Sequence, residues 1–87
     1  MHPPDTSRNL MAVIAAHWRE LMGVEAALPG DDFIRLGGNS MLATMLANRI
    51  EDELGVRPDV VDLFTTLEQI VALCEAMLRA AGGGAPP

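Results

Sequence analysis

A chain of 87 residues has room for one small domain with a modest core. Hydrophobic residues make up 49%, charged residues 21% and aromatics only 3%. This is a globular composition in which Ala, Leu, Val and Met must build the interior, and it favours helices over a sheet. Twelve acidic residues against six basic ones give a net charge of −6, which argues against nucleic acid or an anionic membrane as partner.

In chain order, residues 1–5 are polar with two prolines and read as a flexible N-terminus. A first helix is predicted from about Thr6 to Met22, with Leu10, Val13, Ile14, His17, Trp18 and Leu21 on one stripe and Gly23 as its stop. From Gly23 to Asn39 no period is sustained. Pro29-Gly30 marks a turn, and Phe33, Ile34 and Leu36 are the expected anchors of this long loop on the core. A second helix is predicted over Ser40–Leu54, ended by Gly55. Its Ala43, Leu46, Ala47, Ile50 and Leu54 face inward, with Met41, Met45, Asn48 and Asp52 on the opposite side. Val60 to Phe64 is apolar enough for a short third helix. A fourth runs from about Leu67 to Ala81 behind a Thr66/Gln69 capping box, burying Leu67, Ile70, Val71, Cys74 and Leu78. Residues 82–87 form a Gly/Pro tail. The expected architecture is all-α, a four-helix bundle of three longer helices and one short one, with a long loop between the first two and a domain over residues 6–81.

Most routes to chemistry are absent. The single Cys74 cannot form an internal disulfide, and the two histidines complete no familiar zinc spacing with it. Cys74 reads as a small buried hydrophobe and His17 as a structural histidine. Asp31-Asp32 and Glu51-Asp52-Glu53 read as solvated charge. Gly38-Asn39-Ser40-Met41-Leu42 opens like a nucleophile elbow but has neither a closing glycine nor a preceding strand. No catalytic residue and no metal site emerges. The longest apolar run, Leu10 to Ala16, is seven residues, against roughly 20 for a membrane span. The start lacks the pattern of a secretory signal. A cytoplasmic protein is expected, and the absence of Lys beside abundant Ala, Gly and Pro points to a GC-rich, bacterial genome.

One stretch stands apart, Asp31-Asp32-Phe33-Ile34-Arg35-Leu36-Gly37-Gly38-Asn39-Ser40-Met41-Leu42-Ala43. Two glycines permit positive φ and close approach of another molecule. A serine at a helix start holds its hydroxyl near unpaired backbone N–H groups, where an esterified phosphate would meet the positive end of the helix field. On Gly-Gly-Asn-Ser alone, an Asn-Ser helix cap after a glycine turn is the simpler reading.

The flanking residues change that balance. The stretch resembles the phosphopantetheine attachment motif of carrier proteins, whose peptidyl branch reads D-D-x-F-x-x-L-G-G-(H/D)-S-L-x-A. Asp31, Asp32, Phe33, Leu36, Gly37, Gly38, Ser40 and Ala43 reproduce it, with one residue fewer between the aspartates and Phe33. The resemblance covers about residues 8–80, including Leu21-Met22-Gly23-Val24, Glu51 to Gly55, Leu63-Phe64 and Thr66-Leu67. It departs from the motif at Asn39, at Met41 in place of Leu, and in a short segment without proline before Thr66.

The resemblance implies that Ser40 is the covalent attachment point of 4'-phosphopantetheine, taken from coenzyme A, with Gly38, Asn39 and Met41 around it. It implies three kinds of partner: a phosphopantetheinyl transferase, an adenylating or acyltransferring loading enzyme, and downstream biosynthetic enzymes. Met41 to Ile50 holds no acid and only Arg49 as a charge, which resembles peptidyl carriers more than fatty-acid ones. The expectation is therefore a monomeric, free-standing peptidyl carrier of a nonribosomal-peptide or hybrid polyketide pathway. Docking is expected at Met41, Met45, Asn48 and Val61. A polyketide-type acyl carrier and an unmodified helical interaction module are the alternatives.

Overall fold

A computed structural model describes residues 6–83. The expected N-terminal segment 1–5 and residues 84–87 of the expected tail lie outside the described residues. Three α-helices carry the fold: α1 (Thr6–Met22), α2 (Ser40–Leu54) and α3 (Leu67–Leu78). The short third helix of the sequence reading is a single 3-10 turn, Val60–Leu63, after which Phe64 leaves helical geometry (φ −83, ψ 64). α1 packs on both α2 and α3, and α2 packs on the 3-10 turn. Among the described residues no helix is long and apolar enough to cross a membrane.

The helix ends follow local chemistry. Gly23 (φ 70) and Gly55 (φ 80) adopt the left-handed conformation that ends α1 and α2. Their N–H groups close on Arg19 and Glu51 carbonyls at 2.9 and 2.8 Å. α3 departs from expectation at its far end. It stops as an α-helix at Leu78, and Arg79–Gly83 widens into a π-helical turn, consistent with the low helical propensity of the glycines that follow Ala81. At its near end only half of the capping box forms. Thr66 Oγ1 accepts from the Gln69 N–H at 3.4 Å, while the Gln69 side chain bonds Thr65 rather than returning to Thr66.

The core is one cluster. α1 contributes Leu10, Ile14, Ala15 and Trp18, α2 contributes Ala43, Leu46, Ala47 and Ile50, and α3 contributes Leu67, Ile70, Val71 and Cys74, with Phe33, Val56 and Leu63 from the connections. Leu54 and Leu78, expected inside, are half-buried at its margin. All three aromatics of the chain meet there: Phe33 lies edge-to-face between Trp18 (5.7 Å) and Phe64 (5.5 Å). Phe33 and Leu36 anchor the long loop as expected, but Ile34 does not; it is 59% exposed. The reason is local. The Asp32 carboxylate accepts from the Ile34 and Arg35 N–H groups at 3.1 and 3.2 Å, which turns the chain so that Phe33 enters the core and Ile34 faces water.

Candidate functional site

The segment before α2 is built by backbone bonds to the start of α3. The Phe33 N–H donates to the Thr65 carbonyl at 2.9 Å, the Leu67 N–H to Asp31 O at 2.9 Å, and the Glu68 N–H to Pro29 O at 2.9 Å. Asp32 and Thr66 pair as an isolated antiparallel bridge. The first three N–H groups of α3 are thus satisfied, two by the loop and one by Thr66. The Asp31 carboxylate accepts from the Leu28 N–H at 2.9 Å. Both aspartates therefore fold the loop, a role that the solvated-charge reading missed; aspartates before turns are the available signal.

The two glycines act differently. Gly37 has φ 94, which a side chain rarely tolerates. Gly38 is required by packing: its N–H donates to Phe33 O at 2.8 Å, and a Cβ there would lie 2.3 Å from the Phe33 ring. The close approach expected of an outside molecule is made by the protein's own core.

Asn39 then caps α2 in an extended conformation, its Oδ1 accepting from the Leu42 N–H at 2.9 Å and its carbonyl from the Ala43 N–H at 2.8 Å. Ser40 is consequently the first residue of the helix, not its cap. It is exposed, and among the described residues its Oγ has no hydrogen-bond partner. The Ser40 and Met41 N–H groups likewise have no acceptor among the described residues, in contrast to α3. The first turn of α2 holds no acid. A monoanionic phosphodiester on Ser40 Oγ suits this setting, because the free N–H groups and the helix field both favour negative charge.

On α2, Met41 is 68% and Met45 40% exposed, and on the 3-10 turn that packs against α2, Val61 is 75% exposed. Asn48 is also exposed, but its Oδ1 is held by Arg57, which reaches Glu51 as well at 3.3 Å. A separate cavity lined by His17, Arg49, Asp52 and Glu53 lies towards the other end of α2, roughly 20 Å along the axis from Ser40 at the helical rise per residue. There His17 Nε2 is 2.8 Å from Glu53 Oε1. Arg49 pairs with Glu20, whose carboxyl it holds below the ordinary range by hydrogen bond and charge. Among the described residues no three His, Cys, Asp or Glu side chains are grouped to hold a metal. Cys74 is fully buried, and burial pushes its thiol up to about 11.

Comparison with known proteins places this arrangement. Residues 12–77 match the family model described as phosphopantetheine attachment site. BlmI, a type-II acyl-carrier-protein from Streptomyces verticillus involved in bleomycin biosynthesis, superposes with a TM-score of 0.77 at 32% identity, over 83% of this chain and 89% of that one. A linear gramicidin synthase of Brevibacillus parabrevis is 38% identical over 52 residues, 60% of this chain. The nonribosomal peptide synthetase echPS of Aspergillus ruber is 37% identical over 70 residues, 75% of this chain. The chain spans only 1% and 3% of the length of these two synthetases. The residues matched by the family model include the α2 segment that presents Ser40, and the chain belongs to the phosphopantetheine attachment-site family as a non-catalytic carrier domain.

Proposed function

We propose that Ser40 Oγ carries the 4'-phosphopantetheine arm, and that residues 6–81 present an aminoacyl or peptidyl group to enzymes of a nonribosomal-peptide or hybrid polyketide pathway. The observation that carries this reading is the exposed Ser40 hydroxyl on the first turn of α2, beside two N–H groups left open, within the matched segment. When bound, the arm supplies a terminal thiol that takes its cargo as a thioester. The chain's own residues hold and orient. Asn39 fixes the start of α2, Gly38 and Phe33 lock the loop behind it, and the Ser40 and Met41 N–H groups favour the phosphodiester charge. Tethering raises the effective concentration of cargo at each enzyme.

The transferase and the adenylating enzyme that loads the cargo dock on Met41 and Met45, exposed and apolar on the first turns of α2, and on Val61, exposed on the 3-10 turn that packs against α2. Asn48 borders that face with its carbonyl engaged by Arg57. A second reading, an acyl carrier loaded by an acyltransferase, is favoured by the likeness to BlmI. Incubation with coenzyme A and a broad-specificity phosphopantetheinyl transferase tests the attachment. The intact mass of the native chain rises by one phosphopantetheinyl group and that of Ser40→Ala does not. Loading by an adenylating enzyme rather than an acyltransferase then separates the two cargo readings.

A further inference from the structure

Five methionines lie among the described residues, and they fall into two groups. Met11, Met22 and Met77 are half-buried against the core. Met41 and Met45 are 68% and 40% exposed, one turn apart on α2, and Met41 follows Ser40 directly. The other oxidisable groups are shielded: Cys74 and Trp18 are both 0% exposed. Before the arm is attached, the two thioethers beside Ser40 are therefore the most accessible soft nucleophiles among the described residues.

We infer that Met41 and Met45 form a peroxide-sensitive modification site, whose oxidation to methionine sulfoxide closes the docking face beside Ser40. In the step the thioether sulfur attacks one oxygen of hydrogen peroxide, the O–O bond breaks, an S–O bond forms, and the second oxygen leaves as water. Sulfur is oxidised by two electrons and peroxide is reduced. The product is a polar, hydrogen-bond-accepting group where an apolar, adaptable one stood. A partner surface complementary to thioethers then buries a sulfoxide without a donor, which slows productive docking. Reductases specific for methionine sulfoxide, using a dithiol as reductant, reverse the change: the oxygen leaves as water and the dithiol becomes a disulfide, so the site can act as a switch. The chemical selectivity stands on exposure alone; the effect on loading rests on the docking reading proposed above.

The test treats the chain, before arm attachment, with limiting hydrogen peroxide, removes the oxidant with catalase, maps the oxygens by fragmentation of the peptides and measures the rate of phosphopantetheinylation. Each oxygen adds about 16 Da, and Met41 then Met45 gain it before Met11, Met22 and Met77. The treated chain keeps its circular dichroism, is modified at least about fivefold more slowly, and recovers on incubation with methionine sulfoxide reductases and a dithiol reductant. For Met41→Leu/Met45→Leu the ratio of treated to untreated rate stays near one. Oxidation of Met11, Met22 and Met77 as fast as Met41 and Met45 overturns the inference, as does loss of helical signal on oxidation or an unchanged rate with both residues oxidised. Met41→Glu separates the two readings in that last case. If it slows modification while the sulfoxide does not, docking stands and the oxidative site falls; if it too leaves the rate unchanged, the docking reading falls with it.

Discussion

Gly37 and Gly38 stand side by side under different constraints, and substitution separates them. Alanine at Gly37 meets open space but keeps φ 94, a strain of about 1–2 kcal/mol. Alanine at Gly38 drives a Cβ into the Phe33 ring, overpacking that costs about 1–3 kcal/mol or more and moves the loop that leads into Ser40. Urea denaturation should therefore show both variants destabilised, and Gly38→Ala should also slow phosphopantetheinylation by displacing the serine. The neighbouring pair behaves in the opposite sense. Asn39 carries the cap, so Asn39→Ala should lose about 1 kcal/mol. Ser40→Ala, with the cap intact, should stay within about 0.5 kcal/mol of the native chain.

At the scale of elements, the loop and the start of α3 form one unit, since the loop carbonyls of Pro29 and Asp31 satisfy α3 donors and Phe33 closes the aromatic cluster. Phe33→Ala should cost about 3–5 kcal/mol, with a change in Trp18 fluorescence from the lost edge-to-face contact. The helices themselves were legible in the sequence. Glycine stops at Gly23 and Gly55 and the inward set Ala43, Leu46, Ala47 and Ile50 of α2 stand where periodicity places them. So do the exposed Met41 and Met45. The loop was legible only in its motif and not in its bonds, because main-chain N–H and C=O groups carry no residue signature and their pairing depends on α3, far along the chain. Ile34 was misplaced for the same reason: an Asp32 side-chain bond, not hydropathy, decides which of two adjacent apolar residues turns inward. On α2, Met45→Glu should leave helical content and melting near native, since the side chain is exposed, and should slow loading by the cognate enzyme.

At the scale of the whole molecule, one buried group governs alkaline behaviour. The chain has no Lys and no Tyr, and Arg does not titrate below the most alkaline pH. Burial raises the Cys74 thiol from 9.0 to about 11. The folded state thus holds this proton more tightly than the unfolded state, so stability is full below pH 9 and falls as pH rises towards 11. The loss is about 2–3 kcal/mol, read as a falling urea midpoint that Cys74→Ala should flatten. Native Cys74 should also react slowly with thiol reagents at neutral pH and readily once unfolded. With the arm attached and before cargo is loaded, the arm's thiol should then be the one that reacts.

The most direct measurement is the position of the added group. Trypsin cuts after Arg35 and Arg49, and the peptide between them, Leu36 to Arg49, contains two hydroxyl residues, Ser40 and Thr44. After reaction with coenzyme A and transferase, fragmentation of that peptide should place the whole phosphopantetheinyl mass on Ser40, at full occupancy and with every other peptide unmodified. Mass on Thr44 or on any other peptide, or no incorporation into a chain that remains folded, would contradict the assignment of Ser40 as the attachment point.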